Sequence, residues 1–296
     1  PGSTFKLING LIALQEGVIT KKNLFNCIDG YEYDKERLIK CHPHTSPVNL
    51  IEAIEISCNS YFCNAFDKYF KKFNNSATAY NNWYSHLRSF GIGDYLNNDF
   101  ISGNPGKLPK YTYYDEIYKG SWNANTIISM AIGQGELLLT PIQMANMTAI
   151  IANRGYYYTP HIIKKIEGEN EIDSSFKIKQ FSSIHSQYFI PIINGMEKVV
   201  YGSHGTATNS QIKDIILCGK TGTAENPHGE DHSIFIAFAP KYNPEIAIAV
   251  YVENGGWGST WAAPIGSLMT EKYLTNNINN KEQEKRIIEG IVVSKE

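Results

Sequence analysis

The sequence lacks any apolar run of the ~20 residues that a bilayer-crossing helix needs, and it opens without a secretory leader. It also lacks a surplus of charge. A formal net charge of −2 leaves no basic excess for nucleic acid, so no nucleic-acid partner is expected. Its five cysteines, Cys27, Cys41, Cys58, Cys63 and Cys218, are odd in number, which argues against a complete disulfide framework. Internal repeats and low-complexity linkers are missing too. What is present is ordinary globular material. The 296 residues, 42% hydrophobic and 19% charged, suffice for one large domain or two small ones. Pro1-Gly2 runs almost at once into a helical pattern, so the chain reads as a fragment of a longer precursor. The lack of an anchor or export signal therefore says little for a cytoplasmic home.

Periodicity outlines the elements. Ser3 to Glu16 is apolar on nearly all sides (Phe5, Leu7, Ile8, Leu11, Ile12, Leu14), which predicts a helix buried in the middle of the domain and stopped at Gly17. Residues 20 to 47 read as irregular. Helices are expected over Val48–Ile56, Tyr61–Lys71 and Ala79–Ser89, with a break at Phe90-Gly91-Ile92-Gly93. Residues 94 to 120 read as a long surface connection, followed by helices over Asn125–Ile132 and Pro141–Asn153. Tyr156–Glu167 suggests a small hairpin or strand and Phe189–Val200 a helix. Three strands follow, Ile215–Ala224, Ser233–Ala239 and Ile246–Glu253. The last two are joined by the turn-forming Pro240-Lys241-Tyr242-Asn243-Pro244. A closing helix is expected over Trp261–Leu274, then a polar, frayed tail.

Three short motifs carry chemistry. Ser3-Thr4-Phe5-Lys6 places a hydroxyl and an amine three residues apart on one helix face, where they can touch. A serine is a poor nucleophile until a base takes its proton. A lysine can be that base once burial or a second cation lowers its pKa. Ser57-Cys58-Asn59 offers a hydroxyl and an amide just past a short helix. Lys220-Thr221-Gly222-Thr223 ends an apolar strand, where Gly222 would let a substrate backbone lie close and the Lys and Thr groups would hold a carboxylate. Each motif alone also fits a bland helix, a turn or an edge strand. In this order the three form the signature of the superfamily of penicillin-binding proteins and serine beta-lactamases.

More than the three motifs is shared. Pro1-Gly2-Ser3-Thr4-Phe5-Lys6 resembles the nucleophile segment of class B penicillin-binding proteins. Gly133-Gln134-Gly135 with Leu139-Thr140-Pro141-Ile142-Gln143-Met144-Ala145 resembles their segment between the second and third motifs. Lys220 to Glu225, and Asp231-His232-Ser233 with Phe235 to Pro240, resemble their paired strands. The resemblance runs from residue 1 to about 275 and is nearest to the elongation-type subgroup, penicillin-binding protein 2. It implies an α+β fold in which an antiparallel sheet flanked by helices is joined to a helical lobe (about 45–155). The family's strands upstream of the nucleophile helix are missing from this chain. The domain would end near 275, leaving 276–296 as tail.

The resemblance also implies roles. Ser3 would attack a D-Ala-D-Ala stem peptide and Lys6 would be the base. Ser57 and Asn59 would relay protons and orient the substrate amide, while Lys220 tunes the electrostatics. Thr221 and Thr223, beside Gly222, would hold the terminal carboxylate. The N–H groups of Ser3 and Thr223 would form the oxyanion hole. The expected partners are peptidoglycan stem peptides, beta-lactams and a membrane glycosyltransferase of the elongation machinery. The expected location is the periplasmic face of the bacterial inner membrane, through an anchor outside this chain. A serine beta-lactamase, a beta-lactam sensor without turnover and the septal paralogue are the competing readings.

One further cluster stands apart. Cys27, Cys41, His42, His44 and Cys58 lie within about thirty residues, a thiolate and imidazole density that suits tetrahedral Zn2+. Small buried cysteines beside loop histidines are the other reading. Some elongation-type relatives are expected to carry a metal site in this region. The preferred set is Cys27, Cys41, His44 and Cys58, with His42 as alternate, in a structural role. No cofactor is expected for the chemistry itself.

Overall fold

The computed structural model describes residues 1–34, 37–100, 103–168 and 172–292. Gly2–Phe5 form a 3-10 turn that feeds helix α1 (Lys6–Gln15). Every residue from Lys6 to Leu14 is buried, as the all-round apolar pattern predicts. Asn9, polar like Lys6, is fully paired. Its amide donates to the carbonyls of Met130 and Ala131 at 3.0 and 2.9 Å, and its oxygen accepts from Trp83 Nε1 at 2.9 Å. One buried side chain thus ties the central helix to two of its neighbours.

Residues 20 to 47, expected to be irregular, contain a hairpin of β1 (Gly30–Asp34) and β2 (Arg37–Lys40), paired Gly30 to Lys40. Both strands are half exposed and the register shifts between Glu32 and Asp34, so no clean alternation marked them. The hairpin delivers Cys41 and His42 to the next loop.

A run of helices follows. They are α2 (Leu50–Glu55), α3 (Asn59–Lys71), α4 (Ser76–Ser89), α5 (Tyr111–Tyr118) and α6 (Pro141–Ala152). Capping boxes start two of them. Asn49 and Glu52 satisfy each other's backbone N–H at α2, and Thr140 and Gln143 do so at α6. Helix α5 corrects the expected surface connection. It buries only Tyr114, so it presents no apolar stripe to read; residues 101–102 of that connection lie outside the described residues. The expected helix over Asn125–Ile132 is a 3-10 segment, Ala124–Ile132, interrupted at Ile127 (φ −117°).

The short β3 (Tyr156–Tyr158) pairs with β4 (Lys179–Phe181), beyond the span expected for a local hairpin. Helix α7 (Phe189–Tyr201) leads to a three-stranded antiparallel sheet of β5 (Cys218–Ala224), β6 (His232–Ala239) and β7 (Ile246–Val252), in the order β5-β6-β7. Central β6 is buried at every position but its first. Helix α7 packs on β5, while α6 and α8 (Ala262–Thr275) pack on β6 and β7. The tail is not frayed throughout. It forms α9 (Lys281–Glu289), capped by Asn280 and held back by Arg286, which lies 5.4 Å from the Trp261 ring and donates to Thr260 O. Residues 293–296 lie outside the described residues. Among the described residues no helix is long and apolar enough to cross a membrane. Helices flanking an antiparallel sheet make this the expected α+β fold.

Candidate active site

The three motifs converge on one cleft of about 410 Å³. The first supplies Ser3, in the 3-10 turn ahead of α1, where it is half-buried. That turn is clamped by backbone. Gly2 (φ +54°) donates its N–H to Gly133 O at 3.0 Å, and a Cβ at Gly2 would stand 2.5 Å from Thr223 O. Gly133 (φ +77°) is as close on the other side, since its Cβ would sit 2.1 Å from Gly2 O. Both glycines have the positive φ that other residues adopt only with strain.

Lys6 is fully buried. Its Nζ donates to Ser57 O at 2.7 Å, Ser57 Oγ at 3.2 Å and Asn59 Oδ1 at 2.5 Å. None of these partners is Ser3, so the direct contact expected within Ser-x-x-Lys is not formed. The three acceptors of the second motif draw the amine instead. Burial lowers the Lys6 ammonium to about 8, partly opposed by the charges of Cys58, Cys41 and Cys63. Lys220, also fully buried, approaches the same hydroxyl from the sheet. Its Nζ donates to Ser57 Oγ and to Thr221 O, both at 2.9 Å. Burial, and then the neighbouring Lys6 charge, holds it well below the usual lysine range. Ser57 thus sits between two amines that are disfavoured from being charged together. Its own backbone is left-handed (φ +59°), uncommon for a residue with a side chain. Asn59 is steadied from behind, because its Nδ2 donates to Lys40 O at 2.7 Å at the end of β2.

On β5, residues two apart share a face. A Cβ at Gly222 would meet Pro1 O and Thr4 Cγ2, each at 3.0 Å. The missing side chain makes room for the nucleophile turn, and Gly222 also lines the cleft. Thr221 and Thr223 line the cleft, and Thr221 Oγ1 lies 2.7 Å from Thr206 Oγ1. Gln134 Nε2 donates to Thr223 O at 3.1 Å. In an antiparallel strand the N–H and C=O of one residue project to the same side, so Thr223 N–H faces away from β6, toward the cleft.

Four of the five clustered Cys and His residues also meet. The ligand atoms of Cys27, Cys41, His44 and Cys58 all lie within 4.8 Å of one another. Cys41 Sγ and Cys58 Sγ are 3.9 Å apart, near the ~3.8 Å edge of a zinc–thiolate tetrahedron with ~2.3 Å bonds. His44 Nδ1 pairs with Thr45 O at 2.7 Å, while its Nε2 is buried without a partner. That is the arrangement in which a carbonyl fixes a ligand histidine's tautomer. Cys41 Sγ accepts from the first N–H groups of α3, Asn59 at 3.0 Å and Ser60 at 3.2 Å. The hydrogen bond from Cys58 and then the Ser60 N–H draw Cys41 down to about 4 against burial, while burial pushes Cys27 up to about 11. The donor set fits a tetrahedral ion. The alternate His42 is not part of it and turns into the cleft against Trp257.

Motif reading missed several lining residues, among them Thr206, Asp231, Trp257 and Ser259. Thr206 sits in a small-residue loop with no periodic signal. That loop is held by the buried carboxylate of Glu55, which accepts from His204 N at 3.1 Å and lies 3.6 Å from Lys198 Nζ.

A buried lysine pair around a serine hydroxyl, with a second serine at the cleft and a Lys-Thr-Gly strand beside it, is an arrangement that serine acyl transfer could use. Residues 1–271 match the penicillin binding protein transpeptidase domain, and the chain belongs to that family. It is 28% identical over 253 residues to the peptidoglycan D,D-transpeptidase MrdA of Haemophilus influenzae, a match covering 79% of this chain and 38% of that protein. Among solved structures, PBP2 of Pseudomonas aeruginosa in complex with WCK 5153 is similar at a TM-score of 0.81 and 29% identity, covering 95% of this chain and 63% of that one. A chain of a peptidoglycan synthase complex described as coordinating polymerization and crosslinking is similar at a TM-score of 0.76 and 26% identity, covering 94% and 46%. The chain therefore spans well under half the length of the curated relative.

Proposed function

We propose that this chain is the catalytic part of a peptidoglycan D,D-transpeptidase of the elongation type. The observation that carries the reading is the buried Lys6–Ser57–Lys220 chain at the floor of the cleft that holds Ser3. Ser3 Oγ attacks the carbonyl between the two D-Ala residues, and its proton passes to neutral Lys6. The N–H groups of Ser3 and Thr223 take the developing oxyanion charge. Ser57, bridging the two lysines, returns a proton to the departing D-Ala amine, leaving an acyl group on Ser3. Asn59 orients the substrate amide. Thr221 and Thr223 hold the terminal carboxylate, with Gly222 keeping the strand against the nucleophile turn. An amine from a neighbouring stem peptide then attacks the acyl group and restores Ser3. Beta-lactams enter by the same first step and leave Ser3 acylated.

The catalytic unit extends to about residue 275, with residues 45–155 as its helical lobe. The full protein would be anchored at the periplasmic face of the inner membrane and work beside a glycosyltransferase. The similarity to a chain from a complex of polymerization and crosslinking supports that partner. Cys27, Cys41, His44 and Cys58 would hold a structural Zn2+, which would fix the second motif through Cys58 and supply no chemistry to the reaction.

Intact-mass spectrometry after incubation with benzylpenicillin tests the reading. A lasting adduct is expected on the unmodified protein and none on Ser3→Ala. Rapid loss of the adduct with hydrolysis of the drug would replace the transpeptidase by a beta-lactamase.

A further inference from the structure

The two walls of the active cleft come from different parts of the chain. Lys40, His42, Ser57, Asn59 and Gln134 line one side, and β5 with the loop that follows β7 lines the other. Two contacts join the walls at the floor, Lys220 to Ser57 and Gln134 to Thr223. A third contact is aromatic. The His42 ring meets Trp257 edge to face, with centroids 5.1 Å apart and planes at 68°.

We propose that His42 and Trp257 form a two-sided constriction that selects acyl donors by the girth of the substituent they carry away from the carbonyl that Ser3 attacks. The inference rests on the transpeptidase reading above and adds to it the residues that set donor specificity.

Three features support it. Neither ring serves the core: Trp257 is 57% exposed and His42 is exposed as well. Large exposed aromatics at the lining of a cleft are placed for a ligand rather than for folding. Second, both rings stand on firmly held backbone. Next to His42, Cys41 donates its N–H to Asp29 O at 2.9 Å and receives two N–H bonds from the start of α3. Trp257 O accepts from Ser233 Oγ at 2.8 Å and from Thr260 N at 2.9 Å. The following Gly258 lies so close to β5 that a Cβ there would be 2.5 Å from Gly222 O. The bases are fixed, so only side-chain rotation can widen the gap. Third, the link between the two rings is one edge-to-face pair, weak enough for a ligand to part. A slim donor passes it, whereas a broad rigid substituent must first separate the rings.

The test compares second-order rates of Ser3 acylation by benzylpenicillin and by a penicillin bearing a large dye. The proteins are the unmodified chain, His42→Ala, Trp257→Ala and the double variant. The ratio of dye-penicillin to benzylpenicillin rates should rise about fivefold in each single variant. It should rise little further in the double variant, because removing either ring opens the same gap. Unchanged ratios, a fall in the ratio, or effects that multiply in the double variant would overturn the constriction. Trp257→Phe lies outside the thiol cluster and keeps the test sound if His42→Ala disturbs that loop; it should give an intermediate ratio. No adduct on the unmodified protein with either drug would instead sink the transpeptidase reading itself, and the constriction with it.

Discussion

The lysine centre and the thiol cluster share three consecutive residues and solve one problem in two ways. Ser57 and Asn59 turn toward Lys6 and Lys220, and Cys58 between them turns toward Cys27, Cys41 and His44. Both regions remove polar groups from water, which is costly unless partners replace it. Around the lysines the chain supplies every partner, with three acceptors for Lys6 and two for Lys220. In the thiol cluster the donors converge on one another and His44 Nε2 has no partner. The first region is complete as folded, and the second leaves four donor atoms facing one another within 4.8 Å. The left-handed turn at Ser57 lets one short segment serve both.

The largest effect that would test this contrast is on the lysine side. Lys6→Met should slow acylation of Ser3 by about 10²–10⁴-fold, the usual weight of a general base, measured under conditions where circular dichroism shows the variant folded. The pH dependence has a definite sign. Lys6 must be neutral to accept a proton, and its pKa is lowered to about 8. Acylation should therefore rise about tenfold per pH unit up to about 8 and level off above it. A flat profile from pH 6 to 9 would remove Lys6 from the role of base.

The next effect lies on the metal side. A chelator, or Cys58→Ala, should lower the melting temperature by about 5 °C or more, with zinc found by elemental analysis in the unmodified protein. An unchanged melt with no zinc would erase the contrast and make the cluster a set of small buried side chains. The smallest effect belongs to neither region. Asn9→Ala should cost about 1–3 kcal/mol by leaving Trp83 Nε1 without its acceptor and the Met130 and Ala131 carbonyls without the Asn9 donor. Thermal denaturation measures it, and zinc content should stay unchanged.

The three motifs that meet in the cleft were legible because each is local: a residue type and a spacing of two or three. The buried helix of the first motif and the three strands were legible because their apolar patterns are long. What was hidden depends on the third dimension. Nothing in the residues around Thr206 announces that its hydroxyl meets Thr221. His42 looked like a spare metal ligand until its ring was found against Trp257, more than two hundred residues away in the chain. The β1–β2 hairpin and α5 were hidden for a simpler reason, since elements that bury so little leave no period to read.

The backbone clamp around the nucleophile also limits what mutation can do. Pro1 to Thr4 lie against Gly133 on one side and β5 on the other, with Gly2, Gly133 and Gly222 at the points of contact. At Gly2 and Gly133 any side chain would run into backbone oxygen, and at Gly222 it would press on Pro1 O and Thr4. On the proposed function, selection by an antibiotic would therefore have few single substitutions with which to reshape the floor of the cleft while keeping Ser3 in place. Viable changes should gather at the rim, where exposed side chains such as Trp257 can be exchanged without moving the main chain.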